Sequence, residues 1–199
     1  MKKIIRYAIV VLVIAAAFAT SFRTENLTEK LHRERLAQYS PQELVESMFH
    51  DSLTTLQARA VTVRQLLDGV NDDAFVAANS RVLGIGSPSF YVIKGEMNAP
   101  TFVNDELKAT IEGVEITIPL RYIFGNTARD ASGWFSIDDF RNTPDFNAVS
   151  AEMNKYIGAK VIGNATQKLS TAQSVTFVGA VAVKEENPKQ LTVIPYILK

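Results

Sequence analysis

The spacing of apolar residues changes along the chain, and each change marks an element. From Tyr7 to Phe22 sixteen residues pass without a charge, dominated by Ile, Val, Leu and Ala, behind the cations Lys2, Lys3 and Arg6. A positive stretch before an apolar run is the pattern of an export signal, and Ala17-Phe18-Ala19 offers a small-x-small cleavage site that would leave a chain starting at Thr20. The rival is an uncleaved anchor. A span needs about 20 apolar residues, and Ile4 and Ile5 would lengthen this run, with Arg6 snorkelling to the interface. In both readings three cations before the run outweigh Arg23 after it, which holds the N-terminus in the cytoplasm and sends the body across. Residues 1–23 therefore read as a signal peptide or membrane anchor, and the dense charges of 24–39 as a solvated stalk.

A helical pattern follows. Ser40-Pro41-Gln42-Glu43 places a capping serine, a proline at the first helical position and a glutamate at the third. Leu44, Val45, Met48, Phe49, Leu53, Leu56, Ala60, Val63, Leu66 and Leu67 then recur at three- and four-residue steps, which predicts one long helix ending near Gly69. Asp72 and Asp73 open a short helix through Asn79, and the run from Gly84 to Pro88 breaks regular structure. Its glycine pair precedes a strand instead of following one, which excludes a dinucleotide loop.

From Ser89 the period becomes two. SFYVIKG, APTFV and the alternation of Val114, Ile116, Ile118 and Leu120 against Glu115, Thr117, Pro119 and Arg121 predict strands, with Glu112-Gly113 as a tight turn. Thr143-Pro144 starts a helix carrying Phe146, Val149, Met153, Tyr156 and Ile157 inward. Segments 175–184 and 190–198 are apolar on both faces, as central strands of a closed or covered sheet are. The pattern predicts an α+β fold, with a helical subdomain over 40–86 and a mainly antiparallel sheet over 87–199 that holds one inserted helix.

Composition narrows the function. Of 199 residues 47% are hydrophobic and 21% charged, with 21 cations against 21 acids, so no electrostatic footprint for nucleic acid exists. The absence of cysteine excludes disulfides, thiol nucleophiles, cysteine-bound zinc, iron-sulfur clusters and a lipid on an N-terminal cysteine. His32 and His50 are too far apart for an i, i+4 metal pair and lie in the N-terminal helical region away from every plausible serine nucleophile, which argues against both a metal site and a hydrolase triad. No motif calls for a cofactor.

Residues 125–147, GNTARDASGWFSIDDFRNTPDFN, together with SPSFYVIKGE at 87–96 and VTFVGA at 175–180, resemble the core motifs of a bacterial family of predicted periplasmic lipoproteins, domain of unknown function 2291. The resemblance runs in order from about residue 40 to 198. It implies a helical subdomain on a barrel similar to an oligonucleotide/oligosaccharide-binding fold, an extracytoplasmic location and association with sugar-uptake transporters. This chain departs from the family in lacking the lipidated cysteine.

The densest group of directed hydrogen-bonding side chains is Arg129, Asp130, Asp139, Arg141 and Asn142. As a site these would line a pocket with Arg121 and Lys94 from neighbouring strands, for a polar ligand such as a sugar or for a transporter component. As structure, an Arg-Asp pair in a loop braces buried backbone groups. Trp134 reads either as a sugar-stacking platform or as core beside Phe135 and Ile137. Adjacent Asp138 and Asp139 point apart on a strand, so an acid/base pair would need Asp130 and Asp139. The expectation is a non-enzymatic envelope binding or accessory protein, anchored in the cytoplasmic membrane through residues 4–22 if uncleaved. The alternative is a glycan-directed enzyme using those two carboxylates.

Overall fold

A computed structural model of the chain describes residues 40–84, 86–169, 172–184 and 188–199. The signal or anchor and the stalk fall on residues 1–39, outside the described residues. Helix α1 (Pro41–Asp51) starts as its capping box requires. The Ser40 hydroxyl accepts from the Glu43 amide at 3.2 Å, and the Glu43 carboxylate accepts from the Ser40 amide at 2.9 Å. The Ser40 amide, with the Ser40 hydroxyl beside it, donates to the ionised Glu43 carboxylate and holds its pKa below the ordinary value.

One long helix to Gly69 does not form. The chain breaks at Ser52, runs through α2 (Leu53–Arg59), extends over β1 (Val61–Thr62) and restarts as α3 (Val63–Gly69). The cause is local. Val61-Thr62-Val63 is a β-branched run, and Thr62 turns its hydroxyl to the Gln65 amide as a second capping box instead of continuing the helix. The apolar stripe survives the breaks, with Leu44, Val45, Phe49, Leu56, Val63 and Leu66 all buried. Asp72 caps α4 (Asp73–Asn79) through the Ala74 amide at 2.9 Å.

Among the described residues the strands form two sheets. In the first, β3 (Ser89–Asn98) pairs antiparallel along its whole length with β7 (Ser174–Val183), which pairs with β9 (Ile194–Leu198). Two short strands from the helical part complete it, β1 parallel and β2 (Ser80–Val82) antiparallel to β3. The second sheet has the order β4 (Thr101–Val103), β5 (Glu106–Ile111), β6 (Val114–Pro119) and β8 (Gln190–Thr192). Glu112 and Gly113 turn the β5–β6 hairpin with φ of 53° and 79°.

The sheets do not close into a barrel. They are joined where the last segment changes sheet: β8 pairs with β6, buried Val193 donates its amide to the Thr117 carbonyl at 2.8 Å, and β9 then pairs with β7. Opposite this crossing β7 bulges at Val178 and Gly179. A side chain on Gly179 would stand 2.4 Å from a Val193 methyl and 2.7 Å from the Ile194 carbonyl, so only glycine admits the crossing strand.

Two helical insertions lie between β6 and β7. Helix α5 (Thr127–Ser132) is short and largely buried, and α6 (Thr143–Tyr156) buries Phe146, Val149 and Met153. The inward face of α6 is as expected, but the chain stays helical beyond Ile157, through a wider turn (Ile157–Ile162) into α7 (Gly163–Leu169). Phe49 of α1 stacks on Tyr156 at 4.3 Å, which seats the first helix on α6.

Candidate binding cleft

Helix α5 carries the most polar part of the core. Ala128 and Ala131 are small enough for the helix to lie against the first sheet, and this takes Arg129 and Asp130 down to 4% and 7% exposure. Arg129 donates through Nε to Asp130 at 2.8 Å and through its other arm to the Phe146 carbonyl at 3.3 Å and Asn147 Oδ1 at 3.2 Å. Its guanidinium lies 3.6 Å over the centre of the Phe146 ring. Every nitrogen of the fork thus has a partner and one face lies on a ring, which suits a buried guanidinium.

The carbonyl end of α5 is also satisfied from far along the chain. Arg59 donates to Ala131 O at 2.9 Å and to Ser132 O, and Tyr196 donates its hydroxyl to Ala128 O. The Arg59 cation therefore caps the end where the helix dipole is negative, and the Tyr196 phenol holds a carbonyl nearer the helix start. Burial draws the Arg59 pKa below its ordinary value, with Arg81 adding to the effect and the Tyr196 phenol opposing it. Burial pushes the Tyr196 phenol well above the ordinary tyrosine range. Gly133, at φ 61°, ends the helix beneath the Arg81 side chain.

The other residues read as candidates from the sequence fall in separate places. Asp139 accepts from the Ser136 amide at 2.8 Å in a capping box around a single tight turn (Ile137–Asp139). Asn142 caps α6 by accepting from the Asp145 amide at 2.8 Å, and Arg141 beside it is exposed. Trp134 is half-buried in an aromatic cluster, 5.1 Å from Phe49 and 5.7 Å from Tyr196. Lys94 lies in β3 between Thr62 of β1 and Val178 of β7. Arg121 pairs with Asp105 at 3.2 Å. The structure joins Arg129 to Asp130, and the two would-be catalytic carboxylates each serve a local structural partner.

Beside the buried pair, and sharing Asn147 with it, opens a cleft of about 550 Å³ between the 121–126 loop and α6. On the loop, Tyr122 and Phe124 stand two residues apart on one side. Their rings stack 6.3 Å apart and 4° from parallel, at 64% and 78% exposure. The Arg121 guanidinium covers Tyr122 at 5.3 Å. Gly125 turns the loop at φ 82°, and its carbonyl accepts from Asn154 at 2.9 Å, which ties the loop to α6. On the helix side Ser150 is 5% exposed, and its hydroxyl has no hydrogen-bond partner among the described residues. Tyr122 and Phe124 are passed over in the sequence reading, although an i, i+2 aromatic pair before a glycine is a signal that could have found them. Ser150 carries no such signal, because a serine in mid-helix reads as solvated.

Among the described residues no group of His, Cys, Asp and Glu is arranged to hold a metal ion. None of the described helices is long and apolar enough to cross a membrane.

A family model described as predicted periplasmic lipoprotein, DUF2291, matches residues 8–199. The chain belongs to this family. The family description carries a periplasmic location, and the sequence has no cysteine to take the lipid. No curated protein matches the chain. Among solved structures the chain is similar to an OB-fold protein from Thermotoga maritima MSB8, with a TM-score of 0.68 at 19% identity over 81% of this chain and 98% of that one. At that identity the likeness establishes the fold: this DUF2291 chain is an α+β relative of the OB fold whose sheets stay open.

Proposed function

We propose that the protein is a non-enzymatic binding or accessory component of the periplasm that serves a sugar-type solute transport system, with the cleft between the 121–126 loop and α6 as its working surface. One observation carries the reading: a stacked, exposed Tyr122–Phe124 pair borders a cleft furnished with amide and hydroxyl groups. Monomeric proteins seldom leave such aromatic area in water without a use for it. The state of the carboxylates supports binding over catalysis, since Asp130 is held by Arg129 and Asp139 by the Ser136 amide. An acid/base mechanism needs both free across an open cleft.

The test is uptake of labelled sugars by a strain lacking the protein, complemented with wild type or with the Tyr122→Ala/Phe124→Ala variant. Impaired uptake restored by wild type and not by the variant is expected. Normal uptake of every sugar in the deletion strain would refute the reading. A photo-crosslinker at position 124 should in addition capture a transporter component in the living cell.

A further inference from the structure

Within the cleft the charges are one-sided. Arg121 and Lys155 line it, no carboxylate among the described residues does, and the remaining polar side chains of its wall are neutral asparagines, Tyr122 and Ser150. Both cations stand in exposed pairs, Arg121 with Asp105 at 3.2 Å and Lys155 with Glu152 at 3.2 Å. Pairs of this kind are weak and yield readily to a better partner. Ser150 is a different kind of signal. Buried hydroxyls normally find a partner, and this one, in the cleft wall, has none among the described residues. Asn147 gives its carbonyl oxygen to Arg129 and keeps two N–H donors.

Resting on the reading above, we infer that the cleft is a subsite for a monosaccharide acid, a hydroxylated six-membered ring that carries one carboxylate. The ring lays its apolar C–H face on Phe124 and Tyr122. Its carboxylate takes the planar fork of Arg121, with Lys155 as a second charge, since a guanidinium holds a carboxylate through two parallel hydrogen bonds. Turned toward the cleft, the occluded Ser150 hydroxyl takes a ring hydroxyl as the partner it lacks, and the Asn147 amide donates to another. The volume of about 550 Å³ lies within the range of small-molecule sites. A neutral sugar would satisfy the aromatic pair and Ser150 but would leave the two cations in their weak surface pairs, and inorganic phosphate would do the reverse.

Purified full-length protein is titrated with glucuronate and galacturonate, with glucose and galactose as neutral rings, and with inorganic phosphate as an anion without a ring. Calorimetry and saturation-transfer NMR give the readouts. The acids should bind about tenfold more tightly than the neutral sugars, which is the difference between a charge-assisted and a neutral hydrogen bond, and the preference should shrink as salt rises. Ser150→Ala should weaken the acids roughly 3- to 10-fold while leaving thermal unfolding unchanged or raised, because the hydroxyl it removes has no partner in the fold. Phe124→Ala, at a position too exposed to affect folding, should weaken them roughly 2- to 10-fold. Neutral sugars binding as tightly as the acids, phosphate binding as tightly as either, or acid binding that ignores both variants would each overturn the subsite. If no sugar acid binds although the deletion strain loses uptake, this inference fails alone. Should uptake also be intact, the functional reading fails with it.

Discussion

Removing one partner of the Arg129–Asp130 pair should be among the most damaging single changes in the protein. The two side chains are 4% and 6% exposed and meet at 2.7 Å, so either variant strands a charge in the core. Breaking such a pair costs about 3–5 kcal/mol. Asp130→Asn belongs at the lower end, because Arg129 retains Phe146 O, Asn147 Oδ1 and the Phe146 ring, and an asparagine oxygen still accepts. Arg129→Met belongs at the upper end. It leaves the carboxylate without a donor and forfeits two further bonds of about 0.5–1.5 kcal/mol each, long at 3.2–3.3 Å and so nearer the smaller figure. The double variant strands no charge, so it should cost less than the sum of the two by about 2 kcal/mol. Urea denaturation at neutral pH measures all four proteins, with an unchanged m-value as the check that the unfolding reaction is the same. Single costs below about 1 kcal/mol, or a double equal to the sum, would refute the claim that these residues form a buried brace.

Tyr196 should make the fold sensitive to alkali. A phenol whose pKa is raised in the fold holds its proton more tightly there than in the unfolded chain, so its contribution is whole below the unfolded value near 10 and is lost as pH climbs beyond it. Tyr91, also raised by burial, adds to the same decline. Tyr196→Phe should therefore flatten part of the loss above about pH 10 and cost about 1 kcal/mol at neutral pH through the lost bond to the Ala128 carbonyl; equal slopes in the two proteins would contradict this. Gly179→Ala should cost roughly 1–3 kcal/mol by overpacking against Val193 and Ile194, and a neutral thermal melt would mean that the crossing strands have slack. Leu56→Ala, at 1% exposure, should cost roughly 2–5 kcal/mol and Ser40→Ala about 1, so equal denaturation midpoints would place Leu56 outside the core.

What could be read from the sequence was whatever depends on neighbours in the chain. The caps at Ser40 and Asp72, the turn at Glu112-Gly113 and the inward face of the helix after Thr143 each need only a few adjacent residues, and each is in place. The failures are long-range. The apolar stripe is continuous through Val61-Thr62-Val63, so its period hides a break whose reward is pairing of Val61 with Ile93. The segment 190–198 looks like one strand, because both of its sheets demand apolar residues and only Gly179, fourteen residues before Val193, announces the crossing. Helix α5 is too short to show a period. Its Arg129 and Asp130 read as a brace or as pocket lining until Phe146 and Asn147 come round to meet them, and the Arg59 that caps it lies 72 residues from Ala131.

The brace and the cleft are therefore one piece of construction with two separable duties. Arg129 fixes α5 to α6 by taking Asn147 Oδ1, and the same bond decides which end of the Asn147 amide remains for the cleft: the donor end. Asn154 fixes the opposite wall by taking the Gly125 carbonyl, which sets where Tyr122 and Phe124 stand. Neither bond needs a ligand, so both walls are built before anything binds, and little ordering cost remains to be met on binding. This arrangement explains why the densest polar cluster in the sequence misleads about contact. Its charges face inward because they hold the walls, and the groups left for recognition are the ones that the brace positions. Changes at Arg129 should then move stability and binding together, whereas changes at Phe124 should move binding alone, and that division is a signature that neither a purely structural cluster nor a purely functional one would produce.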